Sequence, residues 1–160
     1  MRVFAGSDHA GFALRGKLVQ HLRGQGHDVT DLGPPVADRS DYPDYAVKVG
    51  RSVRDQPGAV GLLVCGSGLG MCMAANKVRG VRAVDAWSVE SARLSRAHND
   101  ANVLCLGERL VSETEATTIL DTWLKATFEG GRHVGRLDKI HRIETEEAAT
   151  RKTPDQGGNA

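Results

Sequence analysis

Five short segments of the sequence have the apolar character of strands, and a stretch with helical periodicity follows each of them. The strand-like segments are residues 2–7, 27–33, 59–65, 81–86 and 102–107. The helical stretches are residues 10–26, 43–55, the segment from the glycines at 66–70 to about Lys77, 88–98 and 112–128. Regular alternation of this kind predicts a parallel sheet with helices on both of its faces.

A further helical pattern follows Gly130 and Gly131, where Val134, Leu137 and Ile140 recur at helical spacing. It covers residues 131–149, beyond the last strand and its helix, and so predicts an extra C-terminal helix. At 160 residues the chain is long enough for one domain with its own core, which we expect to span residues 1–149. Residues 150–160 lack apolar content and are predicted to be disordered.

The balance of charge excludes several classes of protein. The sequence has 21 basic and 20 acidic residues, whereas nucleic-acid-binding proteins usually carry a strong basic excess. No apolar run approaches the ~20 residues that span a bilayer, and the N-terminus turns polar too soon for a signal peptide. Three scattered cysteines do not form a disulfide framework. We therefore expect a cytoplasmic enzyme or binding protein that contacts neither nucleic acid nor membrane.

The segment 64–77, VCGSGLGMCMAANK, joins the third predicted strand to a helix through three glycines. A dinucleotide fingerprint needs Gly or Ala at position 71, where the chain has Met71, and a P-loop needs Lys and Ser or Thr directly after Gly70. A nucleophile elbow needs glycine at position 65, which is Cys65. The segment therefore matches none of these nucleotide-binding or hydrolase motifs.

The turn in this segment is still suited to a negatively charged oxygen. We call it the glycine turn, and it consists of Gly66, Ser67, Gly68, Leu69 and Gly70. Its backbone N–H groups stand at the start of a helix, where the helix dipole favours an anion, and glycines let a ligand come close. The same field favours a thiolate at Cys65, which makes this residue a candidate nucleophile or general base. The alternative is a tight strand-to-helix turn with a small buried cysteine.

Polar side chains also follow the first and fifth predicted strands. Asp8 and His9 come directly after the first strand, and Arg109 follows the fifth. Ligands of open α/β sheets bind at the carboxyl ends of the strands, so we expect these side chains to converge with Cys65. The alternative for Asp8 and His9 is a helix cap with a surface histidine.

Two further polar pairs lie on helices. His98 and Asn99 end the helix before the fifth strand, where the helix dipole alone also favours a histidine. Arg132 and Arg136 are four residues apart in the C-terminal helix and suit a phosphate, the alternative being a solvated basic face. The cysteines at positions 65, 72 and 105 lack the paired spacing of a zinc site, so no zinc site is expected.

Five motifs, in order along the chain, resemble the ribose-5-phosphate isomerase B family, which includes allose-6-phosphate and galactose-6-phosphate isomerases. They are SDHAGF, DYPDYA, CGSGLGMCMAANKV, SARLSRAHNDANVLCLG and RHVGRLDKI, and the likeness covers residues 1 to about 145. The resemblance implies a Rossmann-like α/β/α sandwich with a five-stranded parallel sheet. It also implies a homodimer or a dimer of dimers in which the C-terminal helix packs on the partner subunit. The implied reaction is an aldose–ketose isomerisation of a sugar phosphate without a metal or other cofactor.

The resemblance further implies roles for the residues named above. Cys65 resembles the base that takes a proton from the carbon beside the carbonyl group, and the glycine turn resembles the site of the cis-enediolate oxygen. His98 resembles the acid that helps to open the sugar ring, and Asp8 and Asn99 resemble contacts to sugar oxygens. The residues that resemble phosphate contacts are His9, Arg109, Arg132 and Arg136. The last two are expected to reach across from a partner subunit.

The expected substrate pair is ribose 5-phosphate and ribulose 5-phosphate. Glu108 precedes Arg109 where the family commonly has glycine, so erythrulose 4-phosphate, allose 6-phosphate and galactose 6-phosphate are alternatives. Two other classes are a non-catalytic sugar-phosphate-binding subunit and a dinucleotide-dependent oxidoreductase. A binding subunit has no need of a base such as Cys65, and an oxidoreductase should bind NADH.

Overall fold

A computed structural model describes residues 1–150 and contains the predicted parallel sheet. The strands are β1 (Arg2–Ser7), β2 (Asp28–Asp31), β3 (Val60–Cys65), β4 (Ala83–Asp85) and β5 (Val103–Gly107). Their order across the sheet is β2-β1-β3-β5-β4, and every neighbouring pair is parallel. The central strands β1, β3 and β5 end side by side, with Ser7 paired to Val64 and Cys65 to Gly107. The expected convergence of these three strand ends is confirmed.

A helix follows each strand, as the alternation predicts. The α-helices of the described residues are α1 (Phe12–Gly24), α2 (Tyr42–Asp55), α3 (Leu69–Ala75), α4 (Val89–Asn99), α5 (Glu113–Lys125) and α6 (Val134–Thr150). Side chains of α1, α4 and α5 form one buried cluster with the sheet, and side chains of α2 and α3 form the other. The α/β/α sandwich inferred from the sequence is therefore confirmed.

The two cores meet at the central strands, which are buried on both faces. Neighbouring residues of β3 point to opposite sides, so that Leu62 belongs to one core and Leu63 to the other. Leu104 and Cys105 divide between the two cores in the same way on β5, and all four residues have 0% exposure. Each fully buried leucine contributes about 1.5–3 kcal/mol, so the sheet is a rigid support for the groups at its carboxyl edge.

The ends of several elements differ from the predicted ones by a few residues. The periodicity predicts a helix from residue 10, but His9–Gly11 form a 3-10 turn and α1 begins only at Phe12. The strands β2 and β4 are shorter than the apolar segments 27–33 and 81–86. Both lie at the edges of the sheet, where a strand pairs on one side only.

A side chain bonds the outer side of the edge strand β4. Asn76, which follows α3, donates its amide to the carbonyl oxygen of Ala83 at 2.9 Å and accepts from the N–H of Ala83 at 2.8 Å. The adjacent Arg82 carbonyl accepts from the N–H groups of Asn102 and Val103 on the β5 side. Successive backbone groups of a strand alternate in direction, so the groups that Asn76 binds face away from the sheet.

Internal contacts divide the chain into two units, Met1–Phe128 and a second unit that begins at Glu129. The second unit contains a 3-10 turn (Gly131–His133) followed by α6, so the helix predicted at 131–149 is present with a 3-10 first turn. The disordered tail was predicted over residues 150–160, but Thr150 is the last residue of α6, and residues 151–160 lie outside the described residues. A single domain over residues 1–149 stays a prediction. Within residues 1–150, the helices are too short or too polar to cross a membrane.

Candidate active site

A cavity of about 340 Å³ opens at the carboxyl ends of β1, β3 and β5. Its walls are formed by Asp8, His9, Ala10, Tyr42, Cys65, Gly66, Ser67, Gly70, Arg109 and Leu110. Gly68 and Leu69 complete the glycine turn between these wall residues. The structure therefore brings together the predicted site residues that follow the three central strands.

A second cavity, of about 370 Å³, is slightly larger and lies at the amino ends of the strands. Two of the arginines that line it are bonded to the end of α4. Arg82 Nε donates to the carbonyl oxygen of Asp100 at 2.9 Å, and Arg96 Nη1 donates to that of Ala101 at 2.7 Å. Carbonyl groups at a helix C-terminus need such partners. We assign this cavity a structural role, because its arginines complete a helix end and ligands of open sheets bind at the opposite edge.

Cys65 is the last residue of β3, and only 5% of its surface is exposed, at the cavity. The N–H of Gly68 donates to Cys65 Sγ at 3.1 Å. Gly68 adopts a φ of +80°, a conformation that other residues rarely adopt, and its N–H can thereby turn back towards the sulfur. The cysteine is thus small and buried in a tight turn, as the alternative interpretation expected, but the cavity also reaches it.

The chain after β5 runs beside the glycine turn and brings a positive charge to the cavity. The N–H of Glu108 donates to the carbonyl oxygen of Cys65 at 2.9 Å, and that of Arg109 donates to the carbonyl oxygen of Gly66 at 3.1 Å. The guanidinium group of Arg109 lies against Gly66, where an added Cβ would stand 3.2 Å from Cζ. Glycine at position 66 leaves room for this arginine, and a guanidinium in the wall suits an anionic ligand.

Asp8 and His9 open the turn between β1 and α1. Asp8 Oδ1 accepts from the N–H groups of Ala10 at 2.9 Å and Gly11 at 3.1 Å, which caps the 3-10 turn and delays the start of α1. His9 Nδ1 lies 3.1 Å from the carbonyl oxygen of Ser40, in the loop before α2. Both residues line the cavity, and Asp8 caps the turn as the alternative expected, whereas its contact with a substrate stays a prediction.

Glu108 faces the beginning of α1. Its Oε2 accepts from the N–H of Leu14 at 3.0 Å, although the neighbouring Arg109 lines the cavity. A carboxylate at this place satisfies a backbone N–H that the helix leaves unpaired and interacts favourably with the helix dipole. The residue that departs from the common glycine of the family therefore has a local structural explanation.

Replacing Glu108 by alanine should lower the free energy of unfolding by about 1 kcal/mol, the usual contribution of a side chain that caps a helix N-terminus. In thermal unfolding this corresponds to a decrease in Tm of roughly 2–4 °C for a chain of this size. The matched variant Glu108→Gln keeps an oxygen acceptor and should lose less. An alanine variant with the Tm of the parent protein would contradict the capping role.

Two residues near the site were not assigned to it by the sequence. Tyr42, the first residue of α2, lines the cavity, and a Cβ added to Gly70 would stand 2.8 Å from its Cζ. Asp85 ends β4 and lies behind the glycine turn, where its Oδ1 approaches Gly68. The signal for Tyr42 was its place in the motif DYPDYA. The sequence marks Asp85 only as an acidic residue at the distance that a dinucleotide fingerprint needs, a motif that the segment does not match, and the sheet order brings β4 beside the glycine turn.

Burial raises the pKa of the Asp85 carboxyl group above its ordinary value, and the hydrogen bond from Trp87 partly opposes this shift. Two thiols share this region of the core. A hydrogen bond with Cys105 lowers the pKa of the Cys72 thiol, whereas burial raises the pKa of Cys105 well above its ordinary value.

Besides Gly68 and Leu69 of the glycine turn, four predicted site residues are not among those that line the cavity of their own chain. His98 and Asn99 form the last turn of α4. This helix crosses back from the carboxyl edge of the sheet to the amino end of β5, so its last turn lies at the edge opposite the cavity. Arg132 and Arg136 belong to the second unit. The sequence analysis expected His98, Asn99, Arg132 and Arg136 at the same site as Cys65. The first unit, Met1–Phe128, does not by itself bring this whole set of residues together.

Comparison with known proteins identifies the group to which this architecture belongs. Residues 3–140 match the family described as Ribose/Galactose Isomerase. The chain is 47% identical over 146 residues to a probable ribose-5-phosphate isomerase B of Mycoplasma genitalium, with 90% of this chain and 96% of the relative covered. It is 45% identical over 143 residues to ribose-5-phosphate isomerase B of Escherichia coli, with coverage of 89% and 96%.

Solved structures give the same result. Ribose-5-phosphate isomerase B of Clostridium thermocellum superposes with a TM-score of 0.88 at 44% identity, covering 92% of this chain and 99% of the other. The Mycoplasma genitalium enzyme with bound ribulose 5-phosphate superposes with a TM-score of 0.87 at 46% identity, with coverage of 91% and 97%. The resemblance noted in the sequence is thus confirmed, and the chain belongs to the ribose/galactose isomerase family.

Proposed function

We propose that this chain interconverts ribose 5-phosphate and ribulose 5-phosphate. The observation that carries the proposal is the Cys65 thiol at the inner end of the cavity, bonded to the N–H of Gly68 at 3.1 Å. Relatives are named ribose-5-phosphate isomerase B, and one is described with ribulose 5-phosphate bound. A base beside a turn of N–H groups supplies both requirements of proton abstraction next to a carbonyl group, since the developing negative oxygen also needs donors.

In the proposed reaction Cys65 takes the proton from C2 of the open-chain aldose and returns a proton to C1. A second proton passes from O2 to O1, so the ketose has the same atoms as the aldose. The intermediate is a cis-enediolate, and we assign its negative oxygen to the backbone N–H groups of the glycine turn. One well-aimed donor of this kind contributes roughly 10²–10³-fold to the rate of comparable reactions.

The polar residues around Cys65 have roles that follow from their charge. Arg109 and His9 are basic groups in the cavity wall, and we assign them to the phosphate. Asp8 Oδ1 caps the turn that carries His9, and we propose that its carboxylate also accepts from a sugar hydroxyl. The proposed reaction transfers only protons, so it requires no metal and no other cofactor.

We further infer that a second copy of the chain completes the site, in a homodimer or a dimer of dimers. His98 and Asn99 lie at the edge of the sheet opposite the cavity of their own chain. We therefore assign them to the cavity of a partner subunit, where His98 assists ring opening and Asn99 binds a sugar oxygen. Arg132 and Arg136 reach the phosphate from the partner subunit, and the C-terminal helix at 131–149 packs across the interface. A two-fold dimer then has two identical sites.

The substrate is tested by kcat/KM for a panel of sugar phosphates in the presence of EDTA. Ribose 5-phosphate and ribulose 5-phosphate should give the highest values, ahead of erythrulose 4-phosphate, allose 6-phosphate and galactose 6-phosphate. A higher value for a four- or six-carbon substrate would reassign the substrate within the isomerase class. Binding of all sugar phosphates without turnover would favour a non-catalytic subunit, and turnover lost on adding EDTA would contradict the metal-free reaction.

We propose that the enzyme acts in the cytoplasm. Cys65, Cys72 and Cys105 are all free, and the proposed mechanism requires the Cys65 thiol in its reduced form. Reducing compartments maintain such thiols, whereas oxidising ones convert cysteines to disulfides. Cell fractionation with an antibody against the chain tests this location.

A further inference from the structure

Asp85 lies directly behind the glycine turn. A Cβ added to Gly68 would collide with Asp85 Oδ1, so this oxygen is packed against the Cα of Gly68. The N–H of the same glycine donates to Cys65 Sγ at 3.1 Å. A single residue, Gly68, therefore separates the Asp85 carboxyl group from the thiol and from the N–H groups proposed to hold the enediolate.

The two oxygens of Asp85 have different surroundings. Oδ2 accepts from Trp87 Nε1 at 3.0 Å. Oδ1 is buried and has no hydrogen-bond partner among residues 1–150. A buried carboxylate oxygen without a donor is costly when charged, and burial accordingly raises the pKa of Asp85. The position of the carboxyl group thus favours its neutral form more than water does.

Other titratable groups face this region from every side. Those behind the glycine turn, besides Asp85, are the thiols of Cys72 on α3 and Cys105 on β5. A hydrogen bond with Cys105 lowers the pKa of Cys72, and the charge of Asp85 opposes this shift. Burial raises the pKa of Cys105, and the charge of Asp85 adds to that shift. Those in front of the turn, in the cavity wall, are Asp8, His9, Tyr42, Cys65 and Arg109. A test of Asp85 must therefore separate its titration from those of these groups.

We propose that Asp85 is a positioning residue that acts through Gly68, supporting the glycine turn as a neutral group and opposing the enediolate when it is ionised. The proposal deepens the isomerase function and rests on it. The enediolate is negative, whereas the reacting carbons of the substrate are not, so an ionised Asp85 raises the barrier without weakening substrate binding. Ionisation should therefore lower kcat and leave KM nearly unchanged.

The expected size of the effect follows from the arrangement of the two negative charges. When a site is partly buried, a like charge within a few ångströms commonly disfavours formation of a second negative charge by about tenfold or more. We therefore expect kcat of Asp85→Asn to equal that of the parent protein at pH values below the pKa of Asp85. Above that pKa the variant should be faster by about tenfold.

The experiment measures kcat and KM from about pH 3.5, near the ordinary pKa of an aspartate, to about pH 9 for the parent protein, Asp85→Asn and the control Asp55→Asn. Asp55 ends α2, is exposed and pairs with Arg54, so its replacement removes one carboxylate charge away from the cavity. The NMR resonance of the Trp87 indole N–H, which is bonded to Asp85, reports the titration of Asp85 independently of activity. The ratio of kcat between Asp85→Asn and the parent should change at the pH where this resonance titrates.

Three outcomes for the parent protein and Asp85→Asn would overturn the proposal. They are a kcat ratio that stays constant with pH, an Asp85→Asn variant that is slower at every pH, and an indole resonance that does not titrate in the parent protein. The same ratio change in Asp55→Asn would assign the effect to net charge and would also overturn it. A parent protein without turnover would refute the proposed function instead, and the indole titration would then decide separately whether Asp85 ionises in this place.

Discussion

Replacing Cys65 by alanine should lower kcat at least about a hundredfold, the usual contribution of a general base, and leave the affinity for ribose 5-phosphate largely unchanged. The reason is the position of the thiol. It lines the cavity and accepts from the N–H of Gly68 at 3.1 Å, which is the position expected of the proposed base. The phosphate contacts assigned to His9 and Arg109 do not depend on it, and they should preserve binding.

Steady-state kinetics give kcat, and titration calorimetry gives the affinity of the inactive variant. The matched control is Cys72→Ala, which removes a thiol that donates to the carbonyl oxygen of Ala83, outside the cavity wall. This control should keep kcat within a few-fold of the parent value. More than about a tenth of the parent kcat in Cys65→Ala would mean that another group moves the proton.

Mixing two inactive variants, Cys65→Ala and Arg136→Ala, should restore about a quarter of the parent activity if the site is shared across a two-fold interface. Each variant alone carries a lesion in every site. After co-refolding in equal amounts, about half of the dimers are mixed, and each mixed dimer has one intact site and one doubly altered site. The intact sites then make up about a quarter of the total.

The matched control is a mixture of Cys65→Ala and Arg109→Ala. Both residues line the same cavity of one chain, so every site in this mixture carries a lesion and no activity should return. Different affinity tags on the two chains show how many mixed dimers have formed. Mixed dimers without recovered activity in the Arg136 mixture would assign Arg136 to the cavity of its own chain.

Much of the fold can be predicted from the sequence, because each strand and helix carries its own pattern. The apolar segments and the helical periodicities establish the sandwich, and Ser112 followed by Glu115 predicts the capping box that begins α5. The exact ends of the helices were harder to predict where a side chain binds backbone N–H groups near a helix start. Asp8 accepts from two N–H groups and holds His9–Gly11 in a 3-10 turn, which hydrophobic periodicity does not reveal.

The candidate site likewise contains residues that the sequence could predict and residues that it could not. Cys65 and the glycine turn are contiguous in sequence, so their place together could be predicted before the fold was known, and their chemistry stays a prediction. Tyr42 and Asp85 reach the turn from α2 and β4 through tertiary packing, which no local pattern encodes. The separation of His98 from Cys65 depends on the direction of α4, and a motif in a sequence does not state to which edge of the sheet its helix returns.

Asn76 has a consequence for how the molecules behave together at high concentration. An open edge strand is a template for strands of other molecules, and such pairing leads to aggregation. At β4 the outward N–H and carbonyl groups of Ala83 are already bonded to the amide of Asn76, at 2.8 and 2.9 Å. A foreign strand would have to displace this side chain before it could pair with β4 at this position. The asparagine after α3 thus limits the growth of the sheet at this edge and favours assemblies of finite size.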